Sequence, residues 1–276
     1  MHDAERADTV RRIARAADPD RALAALFAPP GPRADLFALY AFNAELARIA
    51  DQVTEPGLGD LRLQWWREAI DRAAAGEAAG HAVAGAFGAA IKRRALNRER
   101  IAALIDARSF DVGAVVIPDE ASLDAYLFDT AIGLFALAAQ IVGADGEGLD
   151  LASEAAGRAY GLTGLMRALP IHASKGRVYL PADALRRHGT SPEAVLAGET
   201  SAGLEALLKE LRARARGAYV EAQGHLAGID PRGRTAFLPL SLVEPYLLAL
   251  ERSRDPLHEV AAINPLYRLW RMATRR

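Results

Sequence analysis

The chain has 276 residues, of which 51% are hydrophobic, 25% are charged and 7% are aromatic, and it contains no cysteine. The lack of cysteine excludes disulfides, thiolate metal sites and a cysteine nucleophile. Because the formal net charge is only −1, nothing draws the protein as a whole towards nucleic acid, and we expect no nucleic-acid partner. Abundant alanine and the scarcity of strand-forming runs favour an all-α protein.

The N-terminal segment MHDAERADTVRR is charged from its first residues and lacks the apolar core of a secretory signal. Elsewhere, no uninterrupted apolar run approaches the roughly 20 residues that cross a bilayer. We therefore expect a cytoplasmic protein. The sequence is also compatible with peripheral contact at the inner face of the cytoplasmic membrane.

Turn-forming segments divide the chain at helix-length intervals, beginning with FAPPGPR at 27–33, which ends a first helix. Apolar residues then recur at helical spacing over 34–53. The remaining predicted helices lie over 61–76, 76–96, 97–110, 119–143, 149–169, 181–189, 191–199, 201–226, 234–252 and 265–275. Pro170 is expected to end or kink the helix that precedes it. Because apolar periodicity resumes after the loops, we predict one domain over 1–276.

Three stretches carry unusual polar or aromatic patterns within these helices: LYAFNAELARIADQV at 39–53, LRLQWWREAI at 61–70 and GLTGLMRALPIHASKGRVYLP at 161–181. In these stretches the chain resembles the squalene/phytoene synthase family, whose members are head-to-head prenyltransferases. The resemblance covers nearly the whole chain in helix order. It implies the all-α isoprenoid synthase fold, a helical bundle around a central cavity.

Enzymes of that family carry two aspartate-rich motifs on facing helices, whose carboxylates hold Mg²⁺ against the substrate diphosphate. At the first motif only Asp51 is acidic, because the other two positions hold Ala47 and Arg48. At the second motif the corresponding positions hold Ala168 and His172. We therefore assign no catalytic residue, no metal ligand and no cofactor, and expect a pseudoenzyme.

One branch of the family is more similar still, through AFNAELARIAD, LMRALPIHASKGRVYLP and NPLYRLWRMATRR. This branch comprises the squalene/phytoene-synthase-like assembly factors of respiratory complex I. The resemblance implies a non-enzymatic role and a complex I subunit or assembly intermediate as partner. The alternative is an active prenyltransferase that uses farnesyl or geranylgeranyl diphosphate and Mg²⁺ with divergent ligands. A lipid-handling protein unconnected to complex I is a third hypothesis.

Eight residues around the former motifs are candidates for binding an isoprenoid diphosphate or a phospholipid. They are Glu45, Arg48, Asp51, Arg167, His172, Lys175, Arg177 and Tyr179. Because cations outnumber acids here, we predict that an anionic head group binds without Mg²⁺. For Asp51, an ion pair with Arg48 is favoured over a remnant metal ligand, and Arg48 would then lie between Asp51 and Glu45. A solvated surface is the alternative for the three cations Arg167, Lys175 and Arg177.

The C-terminal segment NPLYRLWRMATRR combines apolar and aromatic residues with Arg268, Arg271, Arg275 and Arg276. A basic, aromatic helix suits an anionic membrane surface. Docking of an ordinary last helix with outward-reaching arginines is slightly favoured over that role. The apolar run at 130–143 is likewise interpreted as a core helix, with the wall of a prenyl tunnel as the alternative.

Overall fold

The computed structural model describes residues 3–53, 55–113 and 115–274. Its α-helices are α1 (Asp3–Ala17), α2 (Pro19–Ala25), α3 (Pro30–Ala47), α4 (Ile49–Gln52), α5 (Pro56–Ala75), α6 (Ala82–Arg94), α7 (Arg98–Asp106), α8 (Arg108–Gly113), α9 (Glu120–Leu127), α10 (Gly133–Val142), α11 (Leu149–Ser174), α12 (Ala182–Arg187), α13 (Pro192–Leu196), α14 (Ala202–Leu226), α15 (Val243–Arg252) and α16 (Pro265–Thr274). A π-helix, Phe128–Ile132, joins α9 to α10, and a 3-10 helix, Gly233–Leu242, precedes α15. The all-α prediction is confirmed, and the single-domain boundary stays a prediction.

Short polar side chains and glycines set many helix ends. Asn97, Asp119 and Ser201 each accept a hydrogen bond from the backbone N–H three residues later, which satisfies donors that the first helical turn leaves free. Gly76 and Gly143 follow α5 and α10 in the left-handed conformation, which glycine adopts without a Cβ penalty. These local features explain why sequence punctuation predicted most elements correctly.

Several predicted helices have different bounds in the structure: 97–110 divides into α7 and α8, and 234–252 begins as a 3-10 helix. Two further differences lie in the stretches that carry the family resemblance. Pro170 lies inside α11, which continues to Ser174. The helix ends instead where Gly176 turns at φ +74 and the Arg177 N–H donates to the His172 carbonyl over 2.9 Å. The predicted helix over 34–53 is divided at Arg48, which separates α3 from the single turn of α4.

The helical segment Glu120–Val142 runs through the interior and packs directly against α11. A Cβ placed on Gly157 would lie 2.4 Å from the Ile132 Cα, so only glycine permits this approach. The segment has a mean hydropathy of 1.7 over an 18-residue window, which meets the length and composition of a membrane span, contrary to our expectation from the sequence. However, 67% of that window is buried inside the protein, as in the core helix of a soluble protein.

Candidate functional site

A cavity of about 270 Å³ lies where α3, α8, α9, the π-helix and α11 meet. We call it the central cavity. Its apolar wall includes Leu127, Ala131, Leu134, Gly161, Gly164 and Leu165. Its polar wall includes Arg21, Asn43, Asp51, Arg108, Asp111, Tyr126, Tyr160, His172, Lys175, Arg177 and Tyr179. The cavity therefore pairs an apolar side with a strongly polar side, as ligand sites commonly do.

Three charged side chains form a bridge across the rim of this cavity. Lys175 Nζ lies 2.7 Å from Asp51 Oδ2, and Arg177 Nη1 lies 2.9 Å from Asp51 Oδ1. Arg177 also donates through Nη2 to the Ala50 carbonyl at 2.6 Å. Because Asp51 belongs to α4 and both cations follow α11, this rim bridge connects the positions of the two former aspartate motifs.

The rim bridge also sets the charge of Asp51. Partial burial acts to raise the pKa of this carboxyl, but hydrogen bonds and charge from Lys175 and Arg177 outweigh it, so the pKa is lowered. Asp51 is consequently an anion at neutral pH. Both of its oxygens already accept hydrogen bonds from cations.

A second group of polar side chains, the Asp111 cluster, lies deeper in the cavity wall. Asp111 accepts hydrogen bonds from Tyr179 Oη at 2.6 Å, Tyr126 Oη at 3.0 Å and Arg108 Nη1 at 2.9 Å. Arg108 Nη2 also donates to Asn43 Oδ1 at 3.0 Å. Arg108 and Asp111 are only 8% and 5% exposed, so their mutual pairing offsets the cost of burying each charge.

Local structure explains how the Asp111 cluster is assembled. Arg108 and Asp111 are three residues apart on α8 and therefore share one face of the helix. Tyr179 is brought to them by a backbone bridge, in which Val178 donates to the Val115 carbonyl over 2.8 Å. Burial, reinforced by neighbouring Tyr126 and by the charge of Asp111, raises the pKa of Tyr179, so its hydroxyl remains a donor.

Two polar atoms of the cavity wall have no hydrogen-bond partner among the described residues. They are Arg108 Nε and His172 Nδ1, both buried. The ring of His172 packs against Tyr179 with centroids 4.5 Å apart. Burial lowers the pKa of His172 to about 4, and the charge of Asp111, which opposes this shift, is too weak to prevent it. His172 is therefore neutral at physiological pH and can donate or accept one hydrogen bond inside the cavity.

The structure separates the eight predicted binding residues into two groups. Five line the central cavity: Asp51, His172, Lys175, Arg177 and Tyr179. Three do not line it: Glu45, Arg48 and Arg167. Ligand binding by all eight stays a prediction, and the first five are the ones that lie in the wall of this cavity.

Of the two ion pairs predicted for Arg48, the one with Glu45 is confirmed and the one with Asp51 is wrong. Arg48 Nη2 lies 2.7 Å from Glu45 Oε2, one turn earlier on α3, while Asp51 pairs with Lys175 and Arg177. The reason is the break between α3 and α4 at Arg48, which removes the regular helical spacing that would have brought Arg48 and Asp51 together.

Arg167 was grouped with Lys175 and Arg177 as a possible anion-binding cluster, but it faces another part of the protein. Its guanidinium carbon lies 3.4 Å from the centre of the Tyr246 ring, and Nε donates to the Ala261 carbonyl at 3.3 Å. Nη1 is 3.6 Å from Asp20 Oδ2. Because α11 continues through Pro170, Arg167 lies two turns before the helix end and points away from the rim bridge.

Sequence reasoning missed Arg21 and the residues of the Asp111 cluster other than Tyr179. Arg21 reaches the cavity from α2, with its guanidinium carbon 4.4 Å from the centre of the Tyr160 ring and Nη1 2.8 Å from Asp18 Oδ2. The only available indication was the i,i+3 spacing of Arg108 and Asp111, which is common on exposed helices as well.

The residues present do not fit the two-motif magnesium site of prenyltransferases. Such a site needs several carboxylate oxygens free to coordinate the metal. Asp51 is bound by two cations, and Ala168 and His172 supply no carboxylate at the second motif. Over 3–53, 55–113 and 115–274, no three His, Asp or Glu side chains are grouped to hold a metal ion.

A family model described as squalene/phytoene synthase matches residues 14–270. The chain belongs to the squalene/phytoene synthase family. Within the family it is 28% identical over 240 residues to the Bos taurus protein named NADH dehydrogenase (ubiquinone) complex I, assembly factor 6, covering 87% of this chain and 72% of that protein. It is 31% identical over 209 residues to presqualene diphosphate synthase from Zymomonas mobilis, covering 74% and 70% respectively.

The fold agrees with that of solved members of the squalene/phytoene synthase family. The structure of squalene synthase HpnC from Alicyclobacillus acidocaldarius matches with a TM-score of 0.78 at 22% identity, covering 90% of this chain and 94% of the other. The central cavity is thus formed in an isoprenoid synthase fold.

The low pKa of His172 predicts a specific pH dependence of stability. The folded state holds His172 with a pKa near 4, and the unfolded state has the ordinary value near 6.5. Between these values only the unfolded chain binds the proton, so stability falls as pH falls from 6.5 to 4 and this contribution is complete above 6.5. From pH 6.5 to pH 4, the free energy of unfolding should fall by roughly 2–3 kcal/mol less in His172→Phe than in the wild type. Urea unfolding at several pH values measures this difference. Identical pH slopes for both proteins would contradict the burial of a neutral His172.

Proposed function

We propose that this protein is a non-enzymatic member of the squalene/phytoene synthase family that assists assembly of respiratory complex I, the NADH:quinone oxidoreductase. Its partner would be a complex I subunit or assembly intermediate. The observation that carries the proposal is the rim bridge, in which Asp51 is neutralised by Lys175 and Arg177 instead of being free for Mg²⁺. The names of the assembly-factor relatives support the biological role.

The size of the central cavity also favours a non-enzymatic role. Ligand pockets usually measure about 300–1,000 Å³, and head-to-head condensation must hold two prenyl chains together. The central cavity, at about 270 Å³, suits one modest ligand. The alternative, an active squalene/phytoene-type prenyltransferase, is favoured by the similarity to presqualene diphosphate synthase.

We further propose that the cavity binds the phosphate group of an isoprenoid or phospholipid without Mg²⁺. Its wall carries four cations against two carboxylates: Arg21, Arg108, Lys175 and Arg177 against Asp51 and Asp111. Such a surplus of positive charge attracts phosphate directly, because guanidinium and ammonium groups donate charge-assisted hydrogen bonds. The apolar wall would then contact the attached chain.

Deleting the gene should lower NADH:quinone activity and cause complex I intermediates to accumulate on native gels. Gly164→Leu tests whether the cavity contributes, because a Cβ at Gly164 meets nothing within 4 Å and the larger side chain would fill the cavity without a backbone clash. When the gene for this variant is returned to the deletion strain, we expect it to restore only a small fraction of the NADH:quinone activity.

Gly217→Leu is the matched control for that experiment. Gly217 also lies within a long helix with nothing within 4 Å of a Cβ, but it is exposed on α14 and does not line the cavity. It should restore normal activity. Normal complex I in the deletion strain would contradict the assembly role, and full rescue by Gly164→Leu would contradict a role for the cavity.

Titration with farnesyl diphosphate tests the ligand chemistry. We expect equal affinity in EDTA and in Mg²⁺, because the cavity cations replace the metal. Incubation with farnesyl or geranylgeranyl diphosphate and Mg²⁺ should release no pyrophosphate and form no C30 or C40 product. Binding that requires Mg²⁺, or turnover that is lost in Asp51→Ala, would instead support the prenyltransferase alternative.

The C-terminal helix supports a proposed location at the cytoplasmic face of the membrane. On α16, Leu266, Tyr267, Leu269 and Trp270 are exposed, while Met272 is fully buried. Arg268 and Arg271 do not reach outward as expected, because they bind Asp20 and the Ser241 carbonyl. Arg275 and Arg276 lie outside the described residues. Leucine with tyrosine and tryptophan suits a membrane interface, so we propose that this outward face contacts lipid.

Co-sedimentation with phospholipid vesicles tests this contact. Leu266 is 76% exposed, and Leu266→Ser should weaken vesicle binding roughly tenfold through the loss of buried apolar surface. Val220→Ser is the matched control, since Val220 is 65% exposed on α14 and should leave binding unchanged. Equal binding of both variants, or no binding by the wild type, would contradict membrane contact through α16.

A further inference from the structure

The rim bridge has the composition of a phosphate-binding site that is filled by a carboxylate of the protein itself. One carboxylate oxygen of Asp51 faces an ammonium at 2.7 Å and the other faces a guanidinium at 2.9 Å. These are the donors and distances with which proteins bind phosphate oxygens. The two cations lie beside the C-terminal end of α11, and the carboxylate comes from a different helix, α4.

We propose that Asp51 is an internal competitor for this site, so that a phosphate-bearing ligand binds by displacing the Asp51 carboxylate from Lys175 and Arg177. This inference rests on the proposed phosphate binding and adds a residue that controls its affinity. In a metal-dependent synthase, a carboxylate at this position would help to hold the ligand. Here it would oppose the ligand.

The contacts of Arg177 favour such an exchange. Its Nη2 donates to the Ala50 carbonyl at 2.6 Å, and this bond does not depend on the Asp51 side chain. Arg177 therefore keeps its position when the carboxylate leaves. Asp51 belongs to the single turn of α4, which is separate from α3, so its side chain can rotate outward without moving the longer helix.

The exposure of the rim bridge also permits exchange. The side chains of Asp51 and Lys175 are 34% and 44% exposed, whereas Arg177 is 18% exposed. Water can solvate a displaced carboxylate at such a position, and partly exposed ion pairs contribute little to stability. A phosphate monoester or diphosphate offers more charge and more acceptor oxygens than one carboxylate, so it competes effectively.

A second observation points to a ligand behind the bridge. Arg108 is 8% exposed and lines the cavity, yet its Nε has no hydrogen-bond partner among the described residues. His172 Nδ1, also in the cavity wall, is likewise unpaired over the same residues. Buried donors without partners are costly and rare. A phosphate oxygen that enters past Asp51 would give Arg108 Nε an acceptor, and would also accept from His172 Nδ1 in the tautomer that carries the proton there.

Calorimetric titration of the full chain in EDTA tests the proposal, with inorganic pyrophosphate and farnesyl diphosphate as separate probes. Asp51→Asn removes the competing charge and keeps the size of the side chain. We expect it to bind either probe about tenfold more tightly than the wild type, a coupling typical of linked sites. Asp71→Asn is the charge-matched control, because Asp71 pairs with Arg98 and does not line the cavity. It should bind as the wild type does.

The outcomes separate this inference from the phosphate-binding proposal. Equal affinities of wild type and Asp51→Asn would overturn competition by Asp51 while leaving phosphate binding intact. No binding of either probe to either protein would overturn both. Binding of farnesyl diphosphate alone would assign the site to a lipid phosphate, and equal binding of pyrophosphate would assign it to a free phosphate.

A second measurement covers the case in which Asp51→Asn does not fold. In the wild type, the carboxyl ¹³C resonance of Asp51 should shift when pyrophosphate is added, because the carboxylate loses two cationic partners. The resonance of Asp71 should stay unchanged. Pyrophosphate binding without a shift at Asp51 would overturn the displacement.

Discussion

The need to pair a buried carboxylate governs the architecture of the central cavity. Asp111 is 5% exposed, and its charge is held by groups from three separate parts of the chain: Arg108 on its own helix, Tyr126 on α9 and Tyr179 after α11. The contacts from Tyr126 and Tyr179 fix α9 and the segment after α11 relative to α8. Removing one partner would leave charge or polarity unpaired in a poorly solvated place, which costs more than the contact itself contributes.

That constraint explains how the cavity persists in a chain that lacks the metal ligands of the synthases. In a magnesium-dependent enzyme, metal ions and substrate hold the two motif-bearing helices together. Here Lys175 and Arg177 bind Asp51 at the positions of the two motifs, and the deeper Asp111 cluster joins the cavity walls. The fold thus keeps a cavity whose wall carries the cations Arg21, Arg108, Lys175 and Arg177 beside the carboxylates Asp51 and Asp111.

Much of the fold was predictable because its determinants are local. Asn97, Asp119 and Ser201 begin helices in the way such residues do in isolated peptides, and the spacing of apolar residues gave the helical faces. The prediction that the helix ends at Pro170 was wrong because tertiary packing outweighs one lost backbone hydrogen bond. The end of α11 is set by Gly176 instead.

The site was only partly predictable, because its key contacts join residues far apart in sequence. Arg108 and Asn43 are 65 residues apart, and Tyr179 and Asp111 are 68 apart. A single sequence does not say which polar residues of two helices face each other. The motif positions could be located by resemblance, which identified Asp51, His172 and Arg177, but their partners depended on where α3 and α11 actually end.

The hydrogen-bonded ion pair between Asp20 and Arg268 constrains the order in which parts of the protein fold. It joins α2 to α16 across 248 residues, so it closes a loop that includes nearly the whole chain. The entropic cost of closing a loop rises with its length, and contacts of this kind form after the local ones. During synthesis, Arg268 leaves the ribosome 248 residues after Asp20, so α16 can dock on α2 only when all the helices between them have been made. The surface presented by α16 therefore forms after those helices, and a partner of that surface meets a chain in which they are already present.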